Sequence, residues 1–140
     1  MTVQPKYARF DPALVMRNVL RRFADGRVEL TRDADYTPDE LVTVVQVPEF
    51  SALGLPSNRW AYRVRVVLVT TGPDADSVLG ELDHLVDSVV SSQTEELGVL
   101  VHIVSVDSEP LLTTPHNPSG AETALSSFTL IMRRKEHVDG

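Results

Sequence analysis

Two amphipathic helical stretches, runs of β-branched residues and a strand–connector–strand close predict an α+β fold for this chain. The expected architecture is a two-layer sandwich, a mixed and mainly antiparallel sheet with two helices on one face, in the order α-β-β-β-α-β-β. The helices are signalled by apolar residues at helical spacing near residues 15–23 and 75–89. The sheet is signalled by 41–47 (LVTVVQV) and 60–71, which are rich in Val and Thr. The close is the most informative part. An apolar strand (LVHIVSVD) runs into a Pro-rich connector and then a second strand (LSSFTLIMRR) that ends in cations.

Asp11 is placed to cap the first helix and Pro12 sits at its first position, where a missing N–H costs nothing. Val15, Met16, Val19, Leu20 and Phe23 form its stripe, and Gly26 offers a stop. Arg17, Arg21 and Arg22 lie off that stripe. They suit either solvation, with Arg21 and Arg22 near the helix C-terminus, or contact with a subunit or an acidic surface. After Gly26 the period changes to two, and residues 27–32 alternate as a half-exposed strand should. Residues 33–40 are polar and contain a proline, hence a loop. The 41–47 run should be a central strand that Pro48 ends. Residues 49–58 are irregular, with turns at Gly54, Pro56 and Ser57. Phe50, Leu53 and Leu55 are too apolar there for open solvent and should pack on the domain or on another subunit.

In the strand at 60–71, Tyr62, Val64, Val66 and Leu68 point to one face. Arg63 and Arg65 point to the other, as solvated surface or as a face that a partner covers. Gly72-Pro73-Asp74 opens a second helix, expected to reach about Glu96, with Ala75, Val78, Leu79, Leu82, Leu85, Val86 and Val89 on the sheet. Gly98 should end it, and 99–106 follows as a buried strand. The connector 108–121 is long for a compact domain and holds Pro110, Pro115, Pro118 and Gly120. Leu111, Leu112 and His116 in it are expected to dock against something. Residues 1–140 are read as one domain with flexible ends near 1–10 and 135–140.

With 140 residues, 42% hydrophobic and 24% charged, the composition is that of a single globular unit. The chain has no Cys, which excludes disulfides, thiolate nucleophiles and Cys-ligated metal. No apolar run approaches the roughly 20 residues needed to span a bilayer, so a soluble, non-secreted chain is expected. Charge is segregated. Residues 1–32 carry seven Lys/Arg against three acids, net +4, and the remainder carries six against seventeen, net −11. That pattern suits poorly the clustered cations of a nucleic-acid binder. It suits either head-to-tail association of copies or plain solvation.

Catalytic patterns are lacking. There is no Gly-x-Ser-x-Gly elbow, no phosphate-binding glycine loop and no His-Glu-x-x-His. Asp83, His84 and Asp87 cluster on the second helix, but no second cluster supplies further metal ligands. His102 alternates with apolar neighbours, as a core or sheet-face histidine would. No catalytic residue, cofactor or metal is expected, and the chain is read as a structural protein rather than an enzyme.

The layout resembles the tail terminator proteins of long-tailed bacteriophages. The matching pieces are DPALVMRNVLRRFADG at 11–26, residues 28–47 with the Thr37-Pro38 turn, and the strand at 60–68 leading to the helix at 74–90. The most telling is 101–134, where Val106-Asp107-Ser108-Glu109-Pro110 precedes an Asn117-Pro118-Ser119-Gly120 turn and a closing Ser-Phe-Thr-Leu-Ile-Met-Arg strand. The resemblance implies a homo-oligomeric ring, usually a hexamer, at the head-proximal end of the virion tail, assembled in the host cytoplasm. Such a ring caps the tail tube protein, stops its polymerisation and offers a surface to head-completion or neck proteins. DNA would pass through the lumen without specific binding. Another head–tail connector or tail-completion subunit, or a non-viral small α+β binding module, is the alternative.

Overall fold

Asp11 caps the first helix as its position requires, its carboxylate accepting from the Ala13 N–H at 3.0 Å, with Pro12 next in line. The structure is a computed structural model that describes residues 10–31, 37, 39–53, 61–113 and 121–134. Its elements are α1 (Pro12–Arg21), β1 (Arg27–Glu29), β2 (Val42–Leu53), β3 (Ala61–Gly72), α2 (Ala75–Val90), β4 (Thr94–Glu96), β5 (Val99–Leu112) and β6 (Glu122–Arg134). The strands form one sheet in the order β1-β2-β3-β6-β5-β4. Only β1 and β2 run parallel; the other neighbours are antiparallel. This is the mixed, two-layer α+β sandwich that the sequence predicts.

Period two decides which face of the sheet is covered. Tyr62, Val64 and Val66 of β3 oppose Met132, Leu130 and Phe128 of β6, and all six are buried. Val15, Met16, Val19 and Leu20 of α1 and Val78, Leu82, Leu85 and Val89 of α2 join the same cluster, so both helices lie on that face. Each such side chain contributes on the order of 1.5–3 kcal/mol by burial. The α1 helix also reaches both ends of the strand order. Arg21 donates to the Val28 carbonyl of β1 at 3.0 Å, and Arg22 donates to the Glu95 carbonyl of β4 at 2.6 Å. A flat sheet keeps its edge strands far apart, so this one curves around α1.

The strand expected over 27–32 is confined to 27–29, and four further boundaries differ from the sequence reading, each for a local reason. The β2 strand continues through Pro48 to Leu53. The proline sits where the register with β3 shifts, between Gln46 and Glu49, and a bulge is where a residue without an N–H is tolerated. The α2 helix stops at Val90 instead of reaching Glu96, because Val89-Val90-Ser91-Ser92 combines β-branched and serine residues that favour other conformations. Residues 94–96 then form β4, an element the sequence reading lacks. Gly98 therefore ends no helix: with Leu97 it makes the two-residue turn from β4 into β5, both at positive φ (75° and 52°), as a type I′ hairpin turn requires. Finally, β5 extends to Leu112, so residues 108–112 of the expected connector are strand, and 114–120 lie outside the described residues. Of the expected flexible ends near 1–10 and 135–140, all but Phe10 lie outside the described residues, and Phe10 packs its ring on Phe50 and Tyr62.

Candidate interaction surfaces

Arg17 and Arg21 of α1 and Arg22 at its C-cap all bond within the fold, although Arg21 and Arg22 stay exposed. Arg21 pairs with Glu29 at 3.3 Å. Arg22 is ion-paired with Glu96, and Arg17 donates to Asn18 at 3.3 Å. Asn18 in turn donates to Glu96 at 3.4 Å. These contacts clamp the helix to β1 on one side and β4 on the other. Phe50 is likewise internal, 6% exposed, with its ring 5.0 Å from Tyr62 and 5.7 Å from Phe10. Burial raises the Tyr62 phenol's pKa, with Arg134 opposing the shift. Leu53 is half-buried at the end of β2. Leu55 and His116 lie outside the described residues.

The face of the sheet away from the helices carries the remaining candidates. Arg63 and Arg65 are exposed there, and neither closes an ion pair with a described residue. Glu49 of β2 stands opposite Arg65 in the ladder, and Asp107, brought alongside by the β5 register shifts that flank it, feels the charge of both arginines. Asp107 accepts from Thr129 Oγ1 at 2.5 Å and from Ser105 Oγ at 2.8 Å. Those two hydrogen bonds, with smaller help from Arg65 and Arg63, hold its carboxyl below the usual carboxylate range. Beyond the arginines the face turns apolar: Val67 and Val69 of β3 are half-buried, Val69 opposes the exposed Leu125, and Leu125 opposes Leu111. His102 is exposed on this face opposite Ile131, a sheet-face histidine as the alternation implies.

The outer edge of β5 is a feature the sequence reading missed. The short β4 pairs only with residues 99–101 of β5, and among the described residues nothing pairs with the outer edge from 102 to 112. Val104, Val106, Leu111 and Leu112 are 57%, 40%, 61% and 38% exposed along it, too much apolar surface on one strand for solvation to explain well. Leu111 and Leu112 were legible as docking residues; Val104 and Val106 were hidden by reading 99–106 as fully buried. Bordering this edge, the α2 flank bearing Leu79, Asp83 and Asp87 faces Val106, Glu109 and Pro110 across a groove of about 650 Å³.

The three α2 residues weighed as a metal site do not converge. His84 donates to the Phe23 carbonyl at 3.0 Å on the α1 side, whereas Asp83 and Asp87 line the groove. No group of three potential metal ligands occurs among the described residues, and no helix among them is long and apolar enough to cross a membrane. No protein-family model and no curated protein matches the chain.

Proposed function

We propose that this chain is a structural subunit that assembles through its sheet edges into a closed ring, as a terminator at the end of a phage tail tube. One observation carries the reading: the 102–112 edge of β5, apolar and unpaired among the described residues. An edge of that length templates a second chain, and native proteins either blunt it or use it. Where that edge receives a different surface of the next copy the contact is heterologous, and a heterologous contact that closes makes a ring. The bare sheet face with Arg63 and Arg65 is a different surface, available to an axial partner such as the tube or a neck protein. The net charge of −7 suits a lumen through which DNA passes without adhering.

Light scattering at several protein concentrations, with negative-stain images of the same sample, tests the reading. The expected result is a ring-sized particle, or a monomer that becomes one on tube ends. A monomer at every concentration that ignores tubes overturns it. Rings that bind portal-side assemblies and never tube ends move the chain to another head–tail joining role.

A further inference from the structure

The α2–β5 groove sets requirements for what fills it. Leu79, Val86, Val106 and Pro110 give it apolar walls, and Asp83, Asp87 and Glu109 make it anionic, with no cation among its described lining residues. One wall is the unpaired edge of β5, so an occupant can gain backbone hydrogen bonds only in extended form. It must also bring positive charge, since burying three carboxylates beside an uncharged segment costs desolvation.

Residues 1–9 of this chain (MTVQPKYAR) meet each requirement. In extended form Val3, Pro5, Tyr7 and Arg9 would share one face and Lys6 would lie on the other, and Lys6 and Arg9 are the only charged side chains in the segment. Fully extended, nine residues reach about 30 Å, enough to run most of the exposed β5 edge. The other stretches outside the described residues fit less well: 135–140 and 32–36 are each net negative, 114–120 carries no Lys or Arg, and 54–60 carries a single cation, Arg59, and is tethered at both ends because it joins β2 to β3. A chain's own segment starts on the wrong side. Phe10, which follows it, packs on Phe50 and Tyr62 at 5.7 and 5.5 Å, on the β2–β3 side of the sheet. The groove is beyond α2, whose Glu81 and His84 hold the end of α1 on the opposite flank.

We propose that residues 1–9 of one copy dock in the α2–β5 groove of the next, adding a strand to β5 that turns Val3, Pro5, Tyr7 and Arg9 toward the groove and its acids Asp83, Asp87 and Glu109, with Lys6 on the strand's other face adding to the positive charge. This deepens the ring reading and rests on it. The contact is directional: each copy gives a segment on one side and receives one on the other.

A charge swap in the full-length chain tests it, with assembled mass read by light scattering. K6E/R9E reverses the segment's charge and D83K/D87K that of two exposed α2 side chains, and circular dichroism confirms that each variant folds. Each should weaken association on the order of tenfold or more, and the four-fold combination should restore it to near the unaltered level. Rings that tolerate both reversals, or a combination that restores nothing, overturn the docking proposal and leave the ring reading standing. Open oligomers that obey the swap uphold the docking and sink the ring. An unaltered chain that stays monomeric with and without tubes sinks both.

Discussion

Glu81 is 5% exposed and turns its carboxylate toward the backbone N–H groups of Asp25 and Gly26, at 3.3 and 2.6 Å. Those two donors belong to the turn between α1 and β1, so one α2 side chain fixes how the first layer enters the sheet. E81A orphans both and should lower the unfolding free energy by about 1–3 kcal/mol in urea denaturation. E81Q keeps one acceptor and should lose less; equal losses would mean that charge, not hydrogen bonding, is what matters there. Gly26 next to it was legible as punctuation, but for a reason other than its actual one. A Cβ there would stand 2.4 Å from the Leu41 carbonyl oxygen, which accepts from the Arg27 N–H at 2.9 Å to begin the β1–β2 ladder. G26A should therefore cost about 1–3 kcal/mol through the overpacked contact, measured the same way. Asp107 supplies a pH signature. Its folded-state pKa is depressed, so its contribution to stability is present above the unfolded value of about 3.9 and fades as pH falls through the lower folded value. In an NMR titration T129V should move the Asp107 midpoint upward, toward the ordinary carboxylate range; an unmoved midpoint would assign the depression to Ser105 and the arginines instead.

At the scale of elements, the β4–β5 hairpin turns on a leucine in a conformation that L-residues with a branched side chain resist. Leu97 has φ of 52° and is 57% exposed, so its side chain returns little burial for the strain. L97N makes the turn Asn-Gly, the preferred pair for such hairpins. It should raise stability by about 1 kcal/mol, a rise in Tm of about 2–4 °C for a chain of this size. A calorimetric Tm that falls instead would mean that Leu97 packs on something in solution. This hairpin also shows where the sequence stopped being legible. The helices were clear because their stripes are wide and their caps, Asp11 and Asp74, are conventional. The Asp74 carboxylate accepts from the Ser77 N–H at 2.7 Å, which holds its pKa below the usual value. A strand of three residues such as β4 has no periodicity to read. Pro48 and Pro110 looked like strand ends because proline cannot donate; both lie at register shifts, where the ladder does not ask them to. The site was less legible still: spacing shows which face a residue points to, not whether the strand beside it is paired.

At the scale of the whole molecule, the two charge blocks of the sequence are not two charged surfaces. Arg21, Arg22 and Arg27 pair with Glu29, Glu96 and Glu40, so much of the positive first block is neutralised within the fold. In the sheet, Arg63 and Arg65 are exposed on the bare face, and Arg134 is exposed at the end of β6. That face looks along the sheet normal, whereas the β5 edge looks across it. A ring closed through the edge thus leaves the bare face for a partner above or below. R63E/R65E separates the two roles. Both side chains are exposed, so folding stability should change by less than about 0.5 kcal/mol. Ring mass should be unchanged, since neither residue lies at the edge or in the groove. Co-sedimentation with tail tubes should be lost, and before reversal it should weaken as salt rises, because exposed charges more than about 10 Å apart are screened at 0.1 M. Tube binding that survives the reversal would return Arg63 and Arg65 to plain solvated surface. A variant that loses its ring mass instead would place them in the contact between copies, and the axial surface would then have to be sought among the half-buried Val67 and Val69 and the exposed Leu125 and Leu111.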